Sequence, residues 1–365
     1  MEVSGLPLDE LAQLLYPLPR FRAAQIFKWI AAGVSSFDEM SNVSLPLRKE
    51  LAGRFSLRPA VTVTKHSAND GTIKLALRFQ DGATVEAVLL SDNRGRCTVP
   101  SAVRHTVCIS TQLGCPANCV FCKTGAMGFV RDLSSAEIVE QFLQLRKVAA
   151  ENNADDSSPG PEAPPAAVPV SNIVVMGMGE PLLNLPELRR ALAVISCKQG
   201  LGLSPRRITV STCGIAEGVI DLADNGPAIR LALSLTTGDE DLRARLMPIT
   251  RGQGLAKVKD SLRYFQKRGG GRITLEAVLL GGVNTRGEDA ESIADFAEGI
   301  DAVVNIIPWN RVKGLQFEGR PLREPSAAEI ESFIRHLEAL ELNVTRRYRR
   351  GRGVMGACGQ LGISN

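Results

Sequence analysis

The sequence predicts an α/β fold, a partial parallel (β/α)6 barrel of TIM type, preceded by a small helical module and a β-hairpin. Three observations predict it. Apolar residues recur at helical spacing near the N-terminus, as in Phe21, Ile26, Phe27 and Ile30. The period then changes to strict alternation in Ile73, Leu75, Leu77 and Phe79. From about residue 104 onward, strand and helix patterns alternate six times.

Taken in order, residues 1–58 read as a helical module with basic edges at Arg20, Arg22 and Lys28. Residues 59–100 read as a hairpin extension leading into the core. Asp70-Gly71 and Asp81-Gly82 sit where its turns fall, and Val85 to Leu90 forms its next strand, with Glu86 inside it. Residues 101–347 carry the repeats. The expected strands are 106–110, 172–176, 207–211, 230–235, 273–279 and 303–307. The expected helices are 134–150, 186–198, 215–225, 239–268 (broken near Gly252 and Gly254), 287–298 and 326–341. Residues 151–169 are rich in Pro, Ala and acid and read as a disordered surface insertion. Residues 348–365 read as a C-terminal loop. Chemistry in parallel barrels gathers at the C-terminal ends of the strands.

Composition sets limits on function. The chain has 365 residues, 44% of them hydrophobic, and a net charge of +4. No apolar run approaches the roughly 18 residues needed to span a bilayer, and the N-terminus has no signal-peptide pattern. A cytoplasmic protein without a membrane partner is expected. Basic residues crowd one end, at Arg346, Arg347, Arg349, Arg350 and Arg352. Such a cluster suits phosphate contact or forms a solvated face. His66, His105 and His336 are the only histidines, and no Ser/His/Asp arrangement emerges. Gly269, Gly270 and Gly271 lack the lysine and hydroxyl of a phosphate-binding loop and read as a turn.

There are eight cysteines. In a reducing compartment they do not form a structural framework. Three stand in the run Gly114-Cys115-Pro116-Ala117-Asn118-Cys119-Val120-Phe121-Cys122. Thiolates this close can grip three irons of a cubane cluster and leave the fourth iron open. They can also hold zinc with a remote fourth ligand, so ligand type alone leaves both readings standing. The x3-then-x2 spacing just after the first barrel strand matches the signature of radical S-adenosylmethionine (SAM) enzymes.

The next strand ends in Met176-Gly177-Met178-Gly179-Glu180. Glycine there lets a ligand approach the backbone, and the Glu180 carboxylate can meet an ammonium group. Ser211, Ser234 and Asn310 end or follow later strands and offer polar groups, although each alone is more often a structural cap. Cys358 lies between small residues beyond the last helix, in a setting that favours access. Cys108 reads as a small core residue and Glu86 as an outward charge.

Together these segments resemble the RlmN/Cfr family of radical SAM RNA methyltransferases. The resemblance spans nearly the whole chain. It rests on Phe21 to Ile30, Glu86 to Val88, Cys108 to Cys115, the cysteine loop with Gly128 and Phe129, Met176 to Asn184, Asn305 to Asn310 and Ala357 to Leu361.

The resemblance implies a [4Fe–4S] cluster on Cys115, Cys119 and Cys122. It places SAM contacts at Gly179, Glu180, Ser211, Ser234, Leu235, Thr236 and Asn310. It further implies two SAM molecules in one cycle. The first methylates Cys358. The second yields a radical that activates this methyl group for addition to an adenine. Glu86 then accepts the ring proton, and Cys108 resolves the adduct through a transient disulfide with Cys358. The implied product is an adenosine methylated at C2 in 23S rRNA and in tRNA. The branch that methylates C8 shares the motifs, so the regiochemistry stays open. An electron donor such as flavodoxin or ferredoxin and a monomeric chain are also implied.

The sequence departs from the family pattern at Thr236, where histidine is common, at Cys213, where serine is usual, and at Lys123, where a small residue is usual. A methylthiotransferase would need a second cluster site, which the scattered Cys97, Cys108, Cys197, Cys213 and Cys358 do not form. A ribosome-assembly factor using zinc or a cluster structurally is the non-enzymatic alternative.

Overall fold

The computed structural model describes residues 1–59, 61–92, 104–153, 170–347 and 350–362. Cys97, Arg349 and most of the expected insertion lie outside the described residues.

The N-terminal helices are α1 (Leu8–Leu14), α2 (Arg20–Ala32) and α3 (Leu45–Arg54). Helix α2 buries Ile26, Phe27 and Ile30 of the stripe read from the sequence, whereas Phe21, in its first turn, is exposed. Buried Glu140 ties this module to the body of the protein. Arg58 donates to it through Nε at 2.7 Å and Nη2 at 2.6 Å, and a third bond runs from Arg58 Nη1 to the Gly33 carbonyl at 2.6 Å.

Three antiparallel strands follow: β1 (Val61–Ser67), β2 (Ile73–Phe79) and β3 (Thr84–Asp92). Their turns use side-chain chemistry. Asp70 accepts from the N–H of Thr72 at 3.0 Å, and Asp81 from that of Ala83 at 2.9 Å. Gly71 and Gly82 adopt φ of +79° and +82°, a region that favours glycine.

The ribbon does not stand apart from the core. β3 pairs antiparallel with β4 (Arg104–Cys108), which opens the parallel sheet. That sheet continues through β7 (Val170–Val175), β8 (Ile208–Thr212), β9 (Arg230–Ser234), β10 (Ile273–Leu279) and β11 (Ala302–Pro308). Each of the six expected strands is present. A seventh parallel strand, β14 (Val344–Arg346), joins the far edge and was not expected. The small pairs β5 (Gln112–Gly114) with β6 (Phe129–Asp132), and β12 (Gln316–Phe317) with β13 (Arg320–Pro321), were also missed.

The crossover helices are α5 (Ser135–Asn153), α6 (Leu185–Ser196), α7 (Ala216–Asn225), α8 (Glu240–Leu246), α9 (Leu255–Lys267), α10 (Gly287–Ala297) and α11 (Ala327–Ala339). One further turn, α4 (Lys123–Ala126), follows the cysteine loop. Helix α5 runs to Asn153, so the first residues of the expected insertion are helical. The break expected in 239–268 is real and separates α8 from α9.

The sheet curls on itself. β3 and β11 stand six places apart in the strand order. A flat sheet would separate them by about 29 Å. Yet Val88 and Leu90 of β3 line the same cavity of about 490 Å³ as Ile307 and Pro308 of β11. The result is an open barrel with its concave face toward the cysteine loop and the C-terminal segment.

Candidate active site

The cysteine loop begins where β5 ends. Gly114 has φ of +73°, and a Cβ there would lie 1.8 Å from the Gly128 carbonyl oxygen. Only glycine permits this approach, which lets the Cys115 N–H donate to that carbonyl at 2.9 Å. A Cβ on Gly125 would strike the backbone of Cys119 at 2.8 Å, so α4 can press against the loop. From above, Trp309 Nε1 donates to the Phe121 carbonyl at 2.8 Å.

The three thiols lie close enough to influence one another electrostatically. Burial raises Cys115 to about 12, and the charges of Glu180 and Cys122 add to the shift. Burial pushes Cys119 well up, with Cys122 and Cys115 repelling it further. Cys122 is also raised by burial, and Cys358 adds repulsion. Three thiols raised in this way, Cys115 buried and Cys119 and Cys122 half-buried, stay protonated until a cationic centre compensates them. Among the described residues, no three His, Cys, Asp or Glu side chains converge closely enough to hold a single metal ion. A cubane is gripped differently, with one thiolate per iron. Three thiols on one loop are the donor set that such a cluster takes.

Apart from Glu86, inside the antiparallel strand β3, and Cys358, in the C-terminal segment, the other predicted residues lie at or just past the C-terminal ends of the parallel strands. Cys108 ends β4. It lines the cavity together with Met176, Asn310, Arg347 and Cys358. Burial pushes the Cys108 thiol up to about 12, with Cys358 adding to the shift and Arg347 opposing it. All seven described cysteines, Cys108 and Cys358 among them, are free. The transient disulfide is thus not present in this state.

Cys358 is half-buried rather than loose. Its segment is pinned on several sides. Lys123 N–H, one residue after Cys122, donates to the Gly359 carbonyl at 2.9 Å. Asn310 Nδ2 donates to the Cys358 carbonyl at 3.2 Å, and Gln360 Nε2 to the Arg311 carbonyl at 3.0 Å.

Glu180 is buried, and both its oxygens accept backbone N–H groups, from Leu182 at 3.1 Å and Cys213 at 2.8 Å. Burial raises its carboxyl pKa, and these hydrogen bonds oppose the shift. Gly179 is required by packing. With φ of +105°, a Cβ there would lie 2.6 Å from the Gln112 side chain. Ser211 and Ser234 hydroxyls are 3.2 Å apart, and Ser211 donates to Glu276 at 3.1 Å. Leu235 is fully buried.

Two buried polar atoms in this region have no hydrogen-bond partner, Thr236 Oγ1 and Asn310 Oδ1. Thr236 also adopts φ of +65°, a strained conformation for a β-branched residue. Such an oxygen is one that a ligand or a water can satisfy.

Glu86 corrects the sequence reading. It is not an outward charge but is 5% exposed, paired with Lys74 at 2.7 Å. Lys74, on the nominally polar side of β2, is 8% exposed. The alternation fails there because the C-terminal segment covers that face of the ribbon. Gly362 N–H donates to the second Glu86 oxygen at 2.6 Å.

The basic cluster also turns inward in part. Arg347 and Arg350 line the cavity, while Arg346 and Arg352 pair with Glu331 and Glu324.

Sequence reasoning missed two buried charges. Glu276 takes Ser211 on one oxygen and faces Arg347 at 3.6 Å on the other. Its signal was an acid in the middle of the apolar strand β10. Arg243 is 1% exposed and collects the carbonyls of Cys213 at 2.6 Å, Leu235 at 3.1 Å and Ser234 at 3.3 Å. On helix α8 it carried no distinguishing pattern.

The geometry agrees with comparisons to known proteins. Residues 165–297 match the radical SAM superfamily model, and residues 3–57 match the ribosomal RNA large subunit methyltransferase N-terminal domain. A crystal structure of a radical SAM methyltransferase from Sphaerobacter thermophilus superimposes with a TM-score of 0.86, at 34% identity, covering 99% of each chain. The fold is that of a radical SAM methyltransferase.

Among curated proteins, the chain is 42% identical over 360 residues to the probable dual-specificity RNA methyltransferase RlmN of Treponema pallidum, covering 99% of this chain and 97% of that one. It is 44% identical over 360 residues to the corresponding Treponema denticola protein, covering 99% and 95%. It is 36% identical over 366 residues to the dual-specificity RNA methyltransferase RlmN of Campylobacter fetus, covering 98% and 96%. The chain belongs to the RlmN family of radical SAM RNA methyltransferases. Among the described residues, no helix is long and apolar enough to cross a membrane.

Proposed function

We propose that this protein methylates C2 of an adenosine in 23S rRNA and in tRNAs, with Cys358 as the methyl carrier. One observation carries the reading. The residue after Cys122 is hydrogen-bonded to the residue after Cys358, so the carrier segment is docked on the cysteine loop.

Cys115, Cys119 and Cys122 would hold a [4Fe–4S] cluster, with SAM at its open iron. Asn310 and Thr236 offer oxygens that lack partners, and Gly179, Glu180, Ser211, Ser234 and Leu235 frame the same strand ends. The cluster and SAM supply a one-electron reduction and a carbon radical, which an electrophilic amidine carbon requires.

The chain's own groups do the rest. The Cys358 thiolate attacks the methyl carbon of one SAM, forming an S–CH3 bond as the sulfonium C–S bond breaks and S-adenosylhomocysteine leaves. Arg347, in the same cavity, opposes the burial that raises the Cys108 thiol. Glu86 accepts the proton from the base. Cys108 then gives up its thiol proton and attacks the sulfur of Cys358, forming a disulfide as the carbon–sulfur bond breaks, and the released carbon takes up a proton to become the methyl group of the product.

The cavity of about 490 Å³ suits a base turned out of its stack. The N-terminal helices and the basic residues near Arg346 would hold folded RNA through its backbone and shape. The protein would work in the cytoplasm as a monomer, with a flavodoxin or ferredoxin supplying electrons.

The test is anaerobic reconstitution with iron and sulfide. A brown protein bleached by dithionite, which then cleaves SAM to 5′-deoxyadenosine, is the expected outcome. A colourless zinc protein without SAM cleavage overturns the reading.

A further inference from the structure

The antiparallel ribbon β1–β3 adds no parallel strand to the barrel, yet two of its carboxylates reach the C-terminal segment. Asp70, in the β1–β2 turn, accepts the Gly351 N–H at 2.7 Å. Glu86, on β3, accepts the Gly362 N–H at 2.6 Å. The two bonds fall at the two ends of the segment that carries Cys358.

Glu86 is held in turn by Lys74, whose ammonium lies 2.7 Å from its other oxygen. Ala76 is the cross-strand partner of Glu86, and Val88 that of Lys74, so the two charges meet diagonally on one face of the ribbon. Their side chains are 10% and 7% exposed. A buried ion pair persists only when its remaining bonding capacity is met, and here the Gly362 N–H meets it.

We propose that Lys74 is a positioning residue that acts through Glu86 to latch the C-terminal segment, fixing Cys358 over the cysteine loop. The inference rests on the proposed role of Cys358 as carrier. It gives the ribbon a task, which is to clamp residues 351–362 at both ends. It also couples two parts of the site. The carboxylate expected to accept the ring proton is the same one that holds the carrier segment, so neither moves without the other. Lys74 holds that carboxylate in place through a 2.7 Å contact, and charge-assisted bonds of this kind are about twice as strong as neutral ones.

The test uses the cluster-loaded protein, anaerobic, without RNA or SAM. Labelling of Cys358 by N-ethylmaleimide is followed by peptide mass spectrometry, and amide exchange is followed over 351–362. In Lys74→Met, the labelling rate is expected to rise about tenfold or more, since a hydrogen bond to a charged group is lost. In Lys74→Arg, which keeps the cation, labelling stays near the native rate. A chain ending at Leu361 lacks the Gly362 donor and leaves the barrel untouched. It is expected to show the same release, with Lys74→Met adding nothing further in that background.

Native-like labelling and exchange in both Lys74→Met and the shortened chain overturn the latch. Segment release in these variants, in a protein that never methylates RNA, leaves the latch standing and removes the methyl-transfer reading instead.

Discussion

Trp309 Nε1 donates to the carbonyl of Phe121 at 2.8 Å, joining the exit of β11 to the middle of the cysteine loop. Trp309 is 2% exposed and among the largest fully buried side chains. The bond spans 188 positions of sequence. It fixes the loop against the strand end from which Asn310 reaches the Cys358 carbonyl.

Replacing Trp309 by Phe keeps an aromatic ring but leaves the buried Phe121 carbonyl without its donor. The expected cost is about 1–3 kcal/mol. Denaturant unfolding of the apo protein measures it. Iron retention under mild chelation is expected to fall in parallel, because the loop loses its clamp.

Cys108→Ala is expected to stop the cycle after the base has bonded to the carrier. RNA then stays covalently attached to the protein. A denaturing gel of the reaction should show a protein–RNA band, whereas free RNA alone would remove Cys108 from the resolving role.

The Cys108 thiol also makes a pH prediction. Its pKa is raised by burial from 9.0 to about 12, with Cys358 adding to the shift. The folded state therefore binds its proton more tightly than the unfolded state. The stabilisation this brings is full below pH 9 and is lost as pH rises through the folded value of about 12. At pH 9, iodoacetamide is expected to leave Cys108 unmodified in the native apo protein and to label it in urea. Peptide mass spectrometry reads both.

Arg58 and Glu140 hold the N-terminal helices to the core, with side chains 10% and 1% exposed. Arg58→Ala leaves a buried carboxylate without its partner, and the expected loss is about 3–5 kcal/mol. Adding Glu140→Gln removes the orphaned charge and should restore part of it. Equal stability of the single and double variants would contradict this account.

Much of this architecture was legible in the sequence. The six strands that begin with Arg104–Cys108 announce themselves as short apolar runs separated by amphipathic helices. The turns at Asp70 and Asp81 carry their own side-chain chemistry. The short strand Val344–Arg346 was hidden because its neighbours read as a basic tail.

The site was legible wherever chemistry is local, as in the spacing of Cys115, Cys119 and Cys122. It was illegible where partners are distant. Lys74 sits in an alternating strand and looks solvated until its partner Glu86, itself bonded to the distant Gly362, is seen beside it. Glu276 is an acid in an apolar strand, and its meaning depends on Ser211 and Arg347 from other units of the barrel. Glu180 was read as facing a ligand ammonium. Its two oxygens also accept backbone bonds that no linear pattern reveals.

The most direct test is mass spectrometry of nucleosides from RNA treated with the reconstituted protein, SAM and a reductant, alongside Cys358→Ala. The account expects 2-methyladenosine with the native chain and none with Cys358→Ala, although that variant still assembles its cluster. Methylation at C8, or undiminished methylation by Cys358→Ala, would contradict it.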